Sequence, residues 1–184
     1  MPLSTLDPTT ALIVIDLQKG VVTIPVAHPI DGIVQRSASL AAAFREHGLP
    51  VVLVNVDGRA PGRTEASRPA GATPPADWAE LVAELDAQPD DLRVTKRTWG
   101  AFHGTDLDAQ LKHLGVTQVV LTGVATSAGV ESTARAAYEH GYNVVLATDA
   151  MTDASAGAHD NSVERIFPRL GETATTAEIL ERLR

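Results

Sequence analysis

Short apolar runs rich in β-branched residues alternate along this chain with segments whose apolar positions recur every three or four residues. The runs read as strands buried on both faces and the periodic segments as helices with one face on a core. Their alternation predicts βαβ units around a parallel sheet. The runs are ALIVID from Ala11 to Asp16, PVVLVNV from Pro50 to Val56, LRVTK ending at Lys96, QVVLTG ending at Gly123 and NVVLAT ending at Thr148, with a sixth near Thr173 to Thr175. Helical spacing joins Leu40, Ala43, Phe44 and His47 ahead of Gly48, then Trp78, Leu81, Val82 and Leu85. It also joins Leu107, Leu111 and Leu114 ahead of Gly115, and Val130, Ala134, Ala137 and Tyr138 ahead of Gly141. A last helix carries Val163, Ile166 and Phe167 and stops around Pro168.

One stretch, residues 57–77, lacks either period and holds Gly58, Pro61, Gly62, Pro69, Gly71, Pro74 and Pro75. The βα pattern continues on both sides, so the stretch reads as a surface loop within one domain of residues 1–184. Its Arg59, Arg63 and Arg68 are either solvated or placed to meet an anionic substrate. The length of 184 residues suits one core and one pocket, and the 44% hydrophobic and 21% charged content is that of a globular chain. Aromatics are only 4%, so Val, Leu, Ile and Ala must build the core.

The net charge of -8 and the lack of a basic run argue against a nucleic-acid or anionic-membrane partner. No apolar stretch approaches the roughly 20 residues of a membrane span, and a cytoplasmic location is the expectation. The chain contains no cysteine, which removes disulfides, thiolate metal sites and a cysteine nucleophile together. The six histidines are scattered with no pair at ligand spacing, so neither a metal nor another cofactor is expected.

In an open parallel sheet, ligands bind beyond the carboxyl ends of the strands, where the strand order switches. Polar residues at those ends are therefore the candidates: Asp16, then Asn55 and Asp57, then Lys96, then the turn Thr126-Ser127-Ala128-Gly129. An aspartate beside a lysine there can exchange a proton with a substrate while the ammonium steadies developing negative charge. A helix cap and a solvated lysine are the bland readings of the same two residues.

The segments ALIVIDLQKG (Ala11 to Gly20), KRTWGAFHGTDL (Lys96 to Leu107) and VVLTGVATSAGVESTARAAYEHGYNVVLATDAMTD (Val119 to Asp153) resemble blocks of the isochorismatase-like hydrolases. The resemblance implies a three-layer α/β/α, Rossmann-like domain with a parallel sheet of about six strands. It implies a homodimer acting on a small-molecule substrate. It carries the family's catalytic aspartate onto Asp16 and its lysine onto Lys96, and it places the cysteine nucleophile of most relatives at Gly129. It further implies that Gln18, Trp99, Phe102, Val124, Ala125, Thr126 and Ser127 line the substrate, with a non-proline cis peptide between Val124 and Ala125. The zinc ligands of some relatives, an aspartate and two histidines after the second strand, have no counterpart, since no histidine follows Asp57 until His103.

Gly129 has no side chain, so thioester chemistry is closed to this chain. Ser127 lies two residues earlier along a turn and should project elsewhere. Two functions stay open. One is hydrolysis by acid-base chemistry of Asp16 and Lys96 without a covalent thiol intermediate, as in the cleavage of an enol ether. The other is a catalytically inactive ligand-binding or scaffold protein, with amidase-type hydrolysis a distant third.

Overall fold

In the computed structural model, which describes residues 3–65 and 74–184, the apolar runs bury both faces by alternation. In β1 (Thr10–Ile15), Ala11, Ile13 and Ile15 join one core cluster while Leu12 and Val14 join the other. The same alternation divides β2 (Val51–Val56), β4 (Gln118–Val124) and β5 (Asn143–Thr152). A strand with both faces covered has no polar side to show, and that is why these runs are continuous rather than alternating in sequence. With β3 (Leu92–Lys96) and β6 (Glu172–Ala174) they form one sheet of six parallel strands in the order β3-β2-β1-β4-β5-β6.

Helices α3 (Leu107–His113) and α4 (Glu131–Glu139) cover one face through Leu107, Leu111, Ala134 and Ala137. Helices α2 (Ile30–Glu46) and α6 (Thr176–Arg182) cover the other through Ile33, Leu40, Phe44 and Ile179. Two short helices, α1 (Lys19–Val22) and α5 (Ala156–Asn161), lie at the carboxyl ends of the strands. The layers are those expected from the sequence, an α/β/α fold. Each fully buried Leu, Ile or Phe contributes about 1.5–3 kcal/mol, so the two clusters together hold the helices on the sheet.

Several elements differ from the sequence reading. The spacing of Trp78, Leu81, Val82 and Leu85 makes no α-helix, only a 3-10 turn at Ala83–Leu85. The backbone before it is drawn into extended pairing, with an antiparallel bridge between Gln18 and Leu81, Lys19 N–H donating to Glu80 O at 2.8 Å and Val82 N–H to Leu17 O at 3.1 Å. Helix α2 begins ten residues before Leu40, at Ile30. The last predicted helix is α5, a π-helical turn Ser162–Ile166 and a 3-10 turn Phe167–Arg169 in succession, with Pro168 inside the last. Strand β5 runs four residues past Thr148, to Thr152, through a register shift against β4.

That shift centres on Gly123. Its φ is +112°, and a Cβ there would lie 2.0 Å from Ile15 O. Only glycine fits, and β4 can then hug β1 up to its end. Strand order reverses between β1 and β4, the place beyond the carboxyl ends of the strands where open parallel sheets bind their ligands. Of the loop at 57–77, residues 57–65 and 74–77 are exposed or irregular and include exposed Arg59 and Arg63. Arg68 lies outside the described residues.

Candidate active site

Asp16 is the first residue past β1 and carries φ 51°, a left-handed turn that swings its side chain across the end of the sheet. Lys96, the last residue of β3, reaches past the end of β2 to meet it. Its Nζ donates to Asp16 Oδ2 at 2.7 Å and to Thr98 O at 3.1 Å, and both residues are buried, Lys96 to 2% exposure and Asp16 to 6%. Burial pushes the Asp16 carboxyl up to about 6, while attraction and hydrogen bonding by Lys96 hold it down only in part. Asp16 Oδ1 is buried with no hydrogen-bond partner among the described residues.

Gly129 faces this pair. It lies in a π-helical turn, Thr126–Val130, that leads into α4. A Cβ on Gly129 would lie 3.4 Å from Asp16 Oδ2, 3.1 Å from Ile15 Cγ2 and 3.3 Å from Val124 O. The three positions thus come together at the switch point, and the wall has closed to ordinary contact around the bare α-carbon. The peptide between Val124 and Ala125 is cis, as the family resemblance implies.

The flanking residues divide differently from the sequence expectation. Gln18 is fully buried with its amide committed to the backbone. It donates to Val56 O and Trp78 O, both at 3.1 Å, and accepts from Val56 N–H at 2.7 Å. Its amide fastens the 78–82 segment to the end of β2. Phe102 turns into the core against His140 and Tyr142, at the far end of α4, so it does not line the crevice. Val124 is core as well, and Trp99 stands on the surface at 67% exposure. Ala125 is half-buried beside Thr126.

Thr126 and Ser127 face away from Asp16. The Ser127 hydroxyl and backbone N–H both donate to Asp153 Oδ2 at 2.8 Å, and the Thr126 hydroxyl pairs with His159 Nδ1 at 2.8 Å. Asp153 and His159 therefore anchor the turn from the β5 side, and sequence spacing gave no sign of either. Asn55 and Asp57 do not join the site. The Asn55 amide donates to Ala79 O and its oxygen accepts from the Thr95 hydroxyl, each at 2.8 Å, and Asp57 is exposed.

A buried carboxyl poised near 6 beside an ammonium can give and retake a proton. Among the described residues no group of three or more His, Cys, Asp or Glu is gathered to hold a metal ion, and no helix is long and apolar enough to cross a membrane.

Comparison with known proteins identifies the family. The isochorismatase domain model matches residues 10–178. The isochorismatase family protein YecD of Escherichia coli O157:H7 is 45% identical over 183 residues, covering 95% of this chain and 96% of the relative. YwoC of Bacillus subtilis (strain 168), of the same family, is 44% identical over 184 residues, covering 95% and 94%. The solved structure of an isochorismatase family protein from Burkholderia thailandensis superposes with a TM-score of 0.92 at 43% identity, over 97% of each chain. The chain belongs to the isochorismatase family of hydrolases.

Proposed function

We propose that this hydrolase cleaves a small molecule at a bond made labile by protonation, such as an enol ether, with Asp16 as general acid and no covalent intermediate. The observation that carries the reading is the buried Asp16 carboxyl, raised to about 6 and holding one unpartnered oxygen, directly against the side-chain-free Gly129. In this scheme the Asp16 proton passes to the vinyl carbon and water adds to the resulting cation. That hemiketal collapses to a ketone and an alcohol, and a proton from the added water returns to Asp16. Lys96 stabilises the carboxylate in the interval. Ser127 is no substitute nucleophile, since its hydroxyl is held by Asp153.

A thermal-shift screen of enol ethers, amides and small carboxylates identifies a ligand, because one present at 100 times its Kd adds about 2.7 kcal/mol of stability. With that substrate, kcat should fall about tenfold per pH unit above 6 as Asp16 loses its proton, and Asp16→Asn should abolish turnover with the fold intact. Full activity in the folded variant would place the acid elsewhere. A rate that rises with pH through 6 would assign Asp16 the role of base.

A further inference from the structure

Beside the turn that carries Gly129, on its β5 side, lies a cavity of about 460 Å³ walled in part by His28, Pro29, Arg36, Met151, His159 and Val163. Asp16, Lys96 and Gly129 are not part of it. Its two imidazoles are mounted alike. His28 Nδ1 lies 3.0 Å from Thr152 Oγ1, His159 Nδ1 lies 2.8 Å from Thr126 Oγ1, and both threonines are fully buried.

This mounting fixes the tautomers. A buried hydroxyl must donate its proton inside the protein. Thr152 Oγ1 already accepts the His28 backbone N–H at 3.2 Å, and among the described residues the imidazole Nδ1 is the one acceptor that either hydroxyl meets. Each threonine therefore donates to Nδ1, and whenever a ring is neutral its hydrogen is on Nε2, the edge away from the threonine. The ring centroids stand 4.6 Å apart with their planes tilted by 59°. Burial holds His159 below the usual histidine range, which favours its neutral form at pH 7.

Asp149 also lines the cavity, with its charge met by Arg36 and Thr176. Arg36 uses Nε on Asp149 O, which leaves its terminal nitrogens without a hydrogen-bond partner among the described residues. Asp149 Oδ1 accepts from Thr176 N–H and Oγ1–H at 2.7 and 2.9 Å, and its Oδ2 lies 3.8 Å from Arg36 Nε. Asp153, behind His159, is taken up by Ser127 and by the Ser155 N–H. Two imidazole N–H donors and a guanidinium on the wall of one cavity, next to apolar Met151 and Val163, match an anion that is small, oxygen-rich at one end and apolar at the other. We propose that this cavity binds a small organic carboxylate, held by Nε2–H of His28 and His159 and by the Arg36 guanidinium. The site shares Thr126 with the turn that forms the wall of the Asp16 crevice.

The test is imidazole ¹⁵N NMR on the full chain at pH 7.5, with benzoate as the probe and inorganic phosphate as the arm lacking an apolar body. Both rings should show the Nε2–H tautomer before any addition. Benzoate should then shift the His28 and His159 signals saturably, and Arg36→Gln or His28→Gln, each with an intact amide spectrum, should weaken it tenfold or more. Phosphate should bind at least tenfold more weakly than benzoate. Nδ1–H tautomers, saturable shifts confined to residues around Asp16 and Lys96, undiminished binding in both variants, or phosphate binding as tight as benzoate would each overturn the proposal.

Discussion

Asp16→Asn should stabilise the protein at neutral pH while removing its chemistry. In the unfolded chain the Asp16 carboxyl ionises near its ordinary value of 3.8, and in the fold near 6, with burial as the leading cause and Lys96 an incomplete offset. Between those values the folded state binds more protons than the unfolded one, so stability falls as pH rises, and the loss is complete above about 6. The difference of roughly two units is worth about 3 kcal/mol in full, and about 2 kcal/mol of it appears between pH 4.5 and 7.5. Asparagine has nearly the shape of the protonated acid and can still accept from Lys96, yet it never ionises. The variant should therefore match the wild type to within about 1 kcal/mol at pH 4.5 and exceed it by about 2–3 kcal/mol at pH 7.5. In a chain of this length that is a Tm gain of about 4–10 °C. Urea unfolding of both proteins at the two pH values measures it. The opposing expectation is that stranding a buried lysine costs about 3–5 kcal/mol. A variant less stable than the wild type by the same amount at both pH values would show that Lys96 needs the ionised partner and that the raised acidity of Asp16 is misread.

Gly129→Cys meets no backbone obstacle, since Gly129 has no positive φ, but its Cβ enters contacts of 3.1–3.4 Å, so a loss of about 1–3 kcal/mol is expected by urea unfolding. The new thiol lies at the opening of α4 and one carboxylate oxygen from Lys96 Nζ, so its alkylation should show a pKa below the free value of about 8.5 and should slow in a Lys96→Ala background. A folded variant whose thiol ignores Lys96 would break the match of Gly129 to the nucleophile position. Gly123→Ala should lose about 4 kcal/mol or more, or fail to fold, because its Cβ would overlap Ile15 O; circular dichroism and a melting curve near the wild type would refute the register described for β4. Metal analysis of the purified protein should find no stoichiometric zinc, and one tightly held zinc per chain would contradict this.

The parts of the fold that were legible in sequence are those whose burial leaves one reading. Strands β1, β2 and β4 are apolar on both faces, and a parallel sheet then dictates that Asp16 and Lys96 end up at the same edge. The segment 78–85 was misread because its apolar residues satisfy a helical spacing, whereas its conformation is set by Gln18, 60 residues away from Trp78 in the chain. The anchors of the Gly129 turn were hidden for the same reason. Asp153 meets Ser127 across 26 residues and His159 meets Thr126 across 33, contacts that exist only because β5 continues past Thr148 through its register shift. Periodicity reports the local face of an element, and it carries no record of a side chain that crosses to another.

The molecule contains a second buried carboxylate with a cationic partner, Asp91 with half-buried Arg45, and the contrast between the two pairs bears on function. Asp91 receives Arg45 through two nitrogens, at 3.0 and 2.8 Å, and the Gln88 N–H at 2.7 Å, while Arg45 also donates to Leu85 O. Every oxygen is used, in the bidentate form that makes an ion pair a good clamp. Asp16 has one lysine contact, an unused buried oxygen, a left-handed backbone and a carboxyl raised by burial. An unmet buried acceptor costs about 1–3 kcal/mol and a left-handed non-glycine residue about 1–2 kcal/mol. As a structural tie, Asp16 is thus inferior to one the same chain builds elsewhere. As an acid it is well placed, because a proton held near neutrality and an oxygen without a partner are what a substrate must find. The hydrolytic reading gives the raised carboxyl and its unpartnered oxygen a use.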